Sequence, residues 1–188
     1  MLTLLLAASC VHAQERPEAA RLMNELMSGK AAVGGPFALP DASGRLRSLE
    51  EFRGRVVLLY FGYTHCPDVC PTDLAAIAGA LRLLGPQAPA VQPLFVTLDP
   101  ARDTPAVLAE YAGAFHPSFV ALRGGEAETR RIARSYKVAY ERVRDGNGGY
   151  AIDHAAFTFL LDRDGKYVGF FPPGTHAERM AAMIRDSL

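Results

Sequence analysis

The chain has 188 residues, a length typical of one domain. Hydrophobic residues make up 49% and charged residues 21%, so the chain can bury a core and is not of the disordered class. Its 20 Lys and Arg residues balance 20 Asp and Glu residues, and no basic run is present, so the composition lacks the electrostatic signature of a nucleic-acid-binding protein.

The N-terminus has the pattern of an export signal. The apolar segment Leu2–Ala8 is too short to span a bilayer as a helix, and a small-residue cleavage site (VHA) follows it, with cleavage before Gln14. A second interpretation is lipoprotein processing, in which the AASC segment makes Cys10 the lipidated first residue. In either interpretation we expect residues 1–13 to contain the signal and its cleavage site, and we expect a periplasmic protein that is soluble or anchored through Cys10.

Residues 14–33 are predicted to form a linker, and one domain is predicted over residues 34–188. It opens with a β-hairpin around the turn Asp41–Gly44. Ser48 and Glu51 then form a capping box for one turn of helix. The apolar run Arg55–Tyr63 follows, with the length and composition of a strand buried on both faces.

Helices and strands alternate through the rest of the chain. A helix with apolar residues at helical spacing ends at Gly85, and Thr104 is the predicted N-cap of the next, with Pro105 at its first position. Thr175 and Glu178 form a capping box for the last helix. The remaining predicted elements are strand Leu94–Leu98, strand Phe119–Leu122, helix Glu126–Arg134, a weakly alternating segment Tyr136–Arg144, and strands Ala156–Leu161 and Tyr167–Phe171.

The order of these elements predicts the fold class. Alternation of strands and helices requires parallel strands in a central sheet with helices on its faces. The closing hairpin, with its turn at Asp162–Gly165, adds antiparallel strands. The chain is therefore predicted to be an α/β protein, a thioredoxin-like three-layer sandwich around a central mixed sheet.

Two of the three cysteines, Cys66 and Cys70, lie where the first buried strand is followed by a helix. Ligand sites of open α/β sheets lie at the carboxyl ends of strands, and a helix N-terminus lowers the pKa of nearby thiols. In a first helical turn their spacing puts both sulfurs on one face. Such a pair can exchange disulfides or bind a soft metal ion, although three intervening residues match the usual C-x-x-C redox pattern only loosely.

His154 is the best candidate for a third ligand. It precedes the strand Ala156–Leu161, and if that strand lies beside the first buried strand, His154 reaches the same edge as Cys66. Two thiolates and one imidazole match a copper site and are one ligand short of a closed zinc site. Taken alone, a histidine at a strand edge is more often a structural polar residue, and His65 competes with His154 for the role.

Three motifs resemble the Sco/SenC family of copper chaperones. They are GYTHCPDVCPTDL at Gly62–Leu74, VTLDPARDTP at Val96–Pro105 and IDHAAFTFLLD at Ile152–Asp162. The resemblance covers about residues 34–186. It implies a thioredoxin-like fold with an added hairpin at about Tyr136–Tyr150.

The resemblance also implies a ligand set and a task. The metal ligands are Cys66, Cys70 and His154, and they bind one copper ion per chain, as Cu(I) and, with a further weak ligand, as Cu(II). The task is to deliver copper to, or to prepare, the binuclear copper A centre of cytochrome c oxidase subunit II. Besides that subunit, the expected partners are another periplasmic copper chaperone or a thioredoxin-like reductant.

Two alternatives remain open at this stage. In a thiol–disulfide reductase, Cys66 would attack a disulfide of the oxidase subunit and Cys70 would resolve the mixed disulfide. A redox or copper sensor would use the same residues. Ala156 stands where thioredoxin-like oxidoreductases have a cis-proline, which favours the metal-binding interpretation over the enzyme.

Overall fold

The structure is a computed structural model that describes residues 24–26, 32–144 and 148–188. The predicted signal over residues 1–13, Cys10 and most of the predicted linker lie outside the described residues. The chain divides after Ala32, and the larger unit is Val33–Leu188. No helix among the described residues is both long enough and apolar enough to cross a membrane.

The strands are short except at the centre of the larger unit. In chain order they are β1 (Ala38–Pro40), β2 (Leu46–Ser48), β3 (Val56–Gly62), β4 (Val91–Thr97), β5 (Val120–Leu122), β6 (Tyr140–Arg144), β7 (Tyr150–His154), β8 (Thr158–Leu161) and β9 (Tyr167–Phe171). The α-helices are α1 (Val69–Leu84), α2 (Pro105–Phe115), α3 (Glu126–Ser135) and α4 (Ala177–Arg185). Two 3₁₀ helices, Leu49–Phe52 and Gly85–Ala90, are also described.

Five strands form one mixed sheet in the order β5-β4-β3-β8-β9. β3 pairs in parallel with β4, and β4 with β5, whereas β8 and β9 add antiparallel strands on the other side. Every residue of β3 and β4 is buried, as expected for apolar strands covered on both faces. The predicted α/β fold with a central mixed sheet is confirmed.

The strand order brings three chain segments to one edge of the sheet. In the register of the sheet, Gly62 at the end of β3 lies opposite Thr97 at the end of β4. Because β8 runs antiparallel to β3, its first residue, Thr158, lies opposite Tyr60, near the end of β3. The segments after β3, after β4 and before β8 therefore meet at this edge.

Strands β6 and β7 form a separate two-stranded hairpin that ends at His154. The assignment of this hairpin to about Tyr136–Tyr150 was wrong at both ends. Tyr136 is fully buried and packs against Phe61 and Phe159, so it belongs to the core at the end of α3. The second strand continues to His154, which lies opposite Tyr140. Of the predicted turn, residues 145–147 lie outside the described residues.

Two of the three predicted helix caps are formed, and one is not. Ser48 donates its backbone N–H to Glu51 Oε1 at 3.0 Å, and Thr104 Oγ1 accepts from the backbone N–H of Val107 at 3.3 Å. The capping box at Thr175 is not formed, because the Thr175 hydroxyl donates to the Pro172 carbonyl oxygen at 2.6 Å. His176 is the N-cap of α4 instead.

The burial of β3 gives a test of the core. Leu59 is fully buried, so Leu59→Ala removes buried methyl groups and leaves a cavity. We expect the free energy of unfolding to fall by about 2–5 kcal/mol, measured by denaturant titration followed by circular dichroism. Leu46→Ala is the control, because that side chain is 61% exposed and its loss is expected to cost under about 0.5 kcal/mol. Equal losses for the two variants would contradict a central position for β3.

Candidate metal centre

The segment between β3 and α1 places two sulfur atoms at a helix N-terminus. Asp68 is the N-cap of α1, and Cys70 is the second residue of the helix. The backbone N–H of Cys70 points to Cys66 Sγ at 3.4 Å, as the free N–H groups of a first helical turn allow. Cys70 is buried, whereas Cys66 is partly exposed. One sulfur therefore lies in the protein interior and the other faces solvent.

The hairpin brings His154 to the same place. Its Nε2 atom lies 3.3 Å from Cys70 Sγ, although the two residues are 84 positions apart in the chain. The ligand atoms of Cys66, Cys70 and His154 all lie within 4.8 Å of one another. The structure thus brings together the three residues that the sequence singled out.

The backbone of β3 lies close to the buried sulfur. A Cβ atom built on Gly62 would lie 2.9 Å from Cys70 Sγ, 2.8 Å from the Tyr60 ring and 3.1 Å from the Phe95 ring. These distances are shorter than ordinary van der Waals contacts, so only glycine fits at the end of β3.

Aromatic rings surround the imidazole of His154. The rings of Tyr60 and Tyr63 lie edge-on to it, with centroid distances of 6.4 and 6.0 Å. The second ring nitrogen, Nδ1, is buried without a hydrogen-bond partner among the described residues. In metal-binding histidines the N–H of the second ring nitrogen usually donates a hydrogen bond to a polar group. Here the orientation of the His154 ring depends instead on packing against aromatic rings and on the position of β7.

The hydrogen bond between the two thiols shifts their pKa values in opposite directions. A hydrogen bond from the Cys70 thiol is the main cause that lowers the pKa of Cys66 to about 3, with the His154 ring and the Asp68 and Cys70 backbone acting in the same direction and burial opposing them. The hydrogen bond to the Cys66 thiolate, together with burial, raises the pKa of Cys70 above its usual range. These opposite shifts favour the thiolate at Cys66 and the proton at Cys70.

Two buried aspartates in the turn after β4 fix the surroundings of the site. Asp103 accepts hydrogen bonds from the backbone N–H and the hydroxyl of Thr64, at 3.1 and 2.6 Å, just before Cys66. Asp99 accepts a hydrogen bond from the Tyr150 hydroxyl on β7 at 2.8 Å. Both residues belong to the VTLDPARDTP motif, but the sequence assigned them no role. Acidic residues in the turn that follows a buried strand were the signal that could have identified them.

A third buried carboxyl group lies behind Cys70. Asp73 accepts hydrogen bonds from the Tyr60 hydroxyl at 3.2 Å and from the Gly174 backbone N–H at 2.9 Å. Burial is the main cause that raises its pKa. The sequence did not single out this residue, because it sits within the apolar pattern of α1.

The other described histidines lie away from the thiols or have other partners. His65 is half exposed, and its Nδ1 lies 3.1 Å from the Thr64 hydroxyl and 3.7 Å from Asp103. His116 Nδ1 lies 2.8 Å from the Ser118 hydroxyl, and His176 is the N-cap of α4. Of the residues that the structure describes, only Cys66, Cys70 and His154 form a group of three or more potential metal ligands.

The donor set suits a soft metal ion. Bonds of about 2.0–2.3 Å to one nitrogen and two sulfurs place the ligand atoms about 3.7–4.0 Å apart in a trigonal site. The separations found here need only small side-chain adjustments to reach that arrangement. Thiolate and imidazole ligands select Cu(I) or Zn(II), and the absence of a fourth protein ligand among the described residues favours a metal that accepts three.

Comparisons with known proteins place the chain among close relatives. The family model described as SCO1/SenC matches residues 25–188. An SCO2-like protein of Rickettsia prowazekii is 42% identical over 159 residues, which cover 84% of this chain and 78% of that protein. The mitochondrial SCO2 homolog of Bos taurus is 41% identical over 176 residues, covering 92% of this chain and 63% of the bovine protein. The chain thus spans less than two thirds of the bovine relative.

A solved structure extends the similarity to three dimensions. Copper-bound ScoI of Bradyrhizobium japonicum superposes with a TM-score of 0.77 at 41% identity, over 84% of this chain and 100% of that one.

The lowered pKa of Cys66 predicts unusual reactivity. Its thiolate persists as the pH falls toward the lowered pKa, so alkylation by iodoacetamide is expected to change little between about pH 8 and pH 5. An ordinary thiol would slow several hundredfold over about the same range. Mass spectrometry of the alkylated peptide measures the rate at each pH.

Cys70→Ala is the matched variant for this test. It removes the main cause of the shift, so the loss of Cys66 reactivity is expected to move to higher pH. A wild-type Cys66 that slows like a free thiol would contradict the assignment of the thiolate to this sulfur.

Proposed function

The chain belongs to the SCO1/SenC family, and on that premise we propose that it is a copper-binding chaperone of cytochrome c oxidase assembly. Cys66, Cys70 and His154 hold one copper ion, which is the cargo of the protein. The observation that carries the proposal is the convergence of these three ligand atoms within 4.8 Å. The copper bound to ScoI of Bradyrhizobium japonicum, which is 41% identical to this chain, supports the choice of metal.

The chemistry of the ligands favours Cu(I). Soft thiolates stabilise it, and two sulfurs with one imidazole complete a three-coordinate site. Cu(II) would require a further weak ligand. Because the partly exposed Cys66 lies on the solvent side and Cys70 is buried, a partner's ligands reach the metal from the side of Cys66.

We assign cytochrome c oxidase subunit II as the recipient, where the copper serves the copper A centre. The source is another copper chaperone outside the cytoplasm, and the place of transfer is the periplasm. The export pattern over residues 1–13 supports this location.

A second function, thiol–disulfide exchange, is favoured by the unequal thiols. The Cys66 thiolate attacks one sulfur of a substrate disulfide, forms a mixed disulfide and releases the other substrate sulfur as a thiolate. Cys70 loses its proton and attacks Cys66, which releases the second substrate thiolate. The substrate is reduced by two electrons, and Cys66 and Cys70 end as a disulfide that a thioredoxin-like reductant must reduce.

Copper binding is tested by titrating the reduced protein with Cu(I) against a competing chelator. We expect one copper per chain, and X-ray absorption is expected to show two sulfur neighbours and one nitrogen neighbour. Cys66→Ser, Cys70→Ser and His154→Ala should each weaken binding, because each removes a ligand. His65→Ala is the control histidine and should bind like the wild type. Unchanged affinity in all three ligand variants would overturn the proposal.

The variant His154→Ala distinguishes the two proposed functions. His154→Ala is expected to lower the affinity for copper at least tenfold, about the minimum cost of disturbing a metal site, because the site loses its only nitrogen ligand. The same variant should still reduce a dithiol-specific test disulfide at close to the wild-type rate, since the exchange uses the two sulfurs. A variant that loses both properties together would show that His154 is required for the thiol chemistry as well.

A further inference from the structure

The hairpin that carries His154 depends on side chains for its attachment. Among the described strands, β6 and β7 pair only with each other, so the sheet ladder does not fix them to the domain. Along β7, Ile152 is buried, while Ala151 and Asp153 on either side of it are exposed. Because side chains alternate along a strand, Tyr150, Ile152 and His154 share the face that looks toward the domain.

Tyr150 is held at the far end of β7 by two residues of the turn after β4. Its hydroxyl donates to the buried Asp99 Oδ1 at 2.8 Å, and its carbonyl oxygen accepts from Arg102 Nη1 at 2.9 Å. The guanidinium carbon of Arg102 lies 3.7 Å from the centre of the Tyr150 ring. Arg102 Nε also donates to Asp99 Oδ2, so the three residues form one connected group, which we call the clamp.

The clamp is connected to the metal centre through β7. Tyr150 lies four residues before His154, about 13 Å along an extended strand. The guanidinium carbon of Arg102 also lies 5.8 Å from the centre of the Tyr63 ring, which packs edge-on against the His154 ring. His154 Nδ1 has no polar partner among the described residues. The location of the ring therefore depends on where β7 lies.

We propose that the clamp positions His154 for copper, with Tyr150 and Asp99 as positioning residues that do not touch the metal. This inference rests on the proposed function. Asp99 is 0% exposed and needs its partners, because a buried charge without them is strongly destabilising. Because the Tyr150 hydroxyl and the Arg102 guanidinium must stay hydrogen-bonded to Asp99, β7 stays in place. When the clamp is loosened, His154 spends less time within reach of copper, while Cys66 and Cys70 keep their geometry.

The test compares two tyrosines of the same hairpin. Tyr150→Phe removes only the hydroxyl that Asp99 accepts from, and it is expected to raise the dissociation constant for Cu(I) about tenfold, as outer partners of metal ligands do. Tyr140→Phe is the matched control: Tyr140 lies on β6, and its ring lies 5.5 Å from the guanidinium carbon of Arg130. It should bind copper like the wild type. Equal effects of the two changes would overturn the proposal.

A double-mutant cycle decides whether the clamp acts through His154. In the His154→Ala background, Tyr150→Phe is expected to have no further effect on copper affinity, because the residue that it positions is gone. An undiminished tenfold loss in that background would overturn the proposal. If His154→Ala itself leaves copper affinity unchanged, His154 is not a ligand and the three-ligand site of the proposed function has failed. A failure of the clamp alone leaves the effect of His154→Ala in place, so the two failures are distinguishable.

Hydrogen exchange of the copper-free protein gives a readout that does not depend on copper. Tyr150→Phe is expected to speed exchange of the β7 amides and to leave the β3 amides unchanged. Asp99→Asn should act in the same direction if it folds. Unchanged β7 exchange in Tyr150→Phe would show that the hydroxyl does not hold the strand, and would overturn the inference.

Discussion

Two buried carboxylates in one turn hold the candidate metal centre together. Asp99 and Asp103 both follow β4, both are 0% exposed, and each takes hydrogen bonds from a segment that carries ligands. Asp103 binds Thr64 beside Cys66, and Asp99 binds Tyr150 on the strand of His154. Because a carboxylate removed from water is costly unless it is paired and hydrogen-bonded, neither ligand-bearing segment can move away freely. The geometry of the three ligands thus depends on two residues, Asp99 and Asp103, between β4 and α2.

The sheet makes this arrangement possible. β3 and β4 end at the same edge because they run in parallel, and β8 begins there because it runs antiparallel to β3. The three segments are distant in the chain and adjacent in space. The two sulfurs have different surroundings at this edge. Cys70 is buried against the end of β3, and Cys66 lies in the partly exposed loop.

The sequence predicted the parts that depend on local patterns. Apolar runs predicted β3 and β4, Thr104 and Pro105 predicted the start of α2, and the change from strand to helix predicted where Cys66 and Cys70 lie. The expectation that both cysteines share a first helical turn was wrong, because α1 begins at Val69 and Cys66 precedes it. Parts that depend on tertiary contacts were missed. Tyr136 was assigned to a hairpin although it packs in the core, and the Thr175 hydroxyl turned back to Pro172 instead of capping α4. Asp99 finds its partner 51 positions away, which no local pattern indicates.

The glycine at the end of β3 limits the direction from which the centre can be approached. No side chain fits at Gly62, where even a methyl group would overlap Cys70 Sγ and the rings of Tyr60 and Phe95. The wall on this side is formed by main chain and aromatic carbon, so a donor atom from another molecule has no room to enter across the end of β3. With copper bound as proposed, exchange is expected at the partly exposed Cys66, and the bond to that outer sulfur is expected to break first.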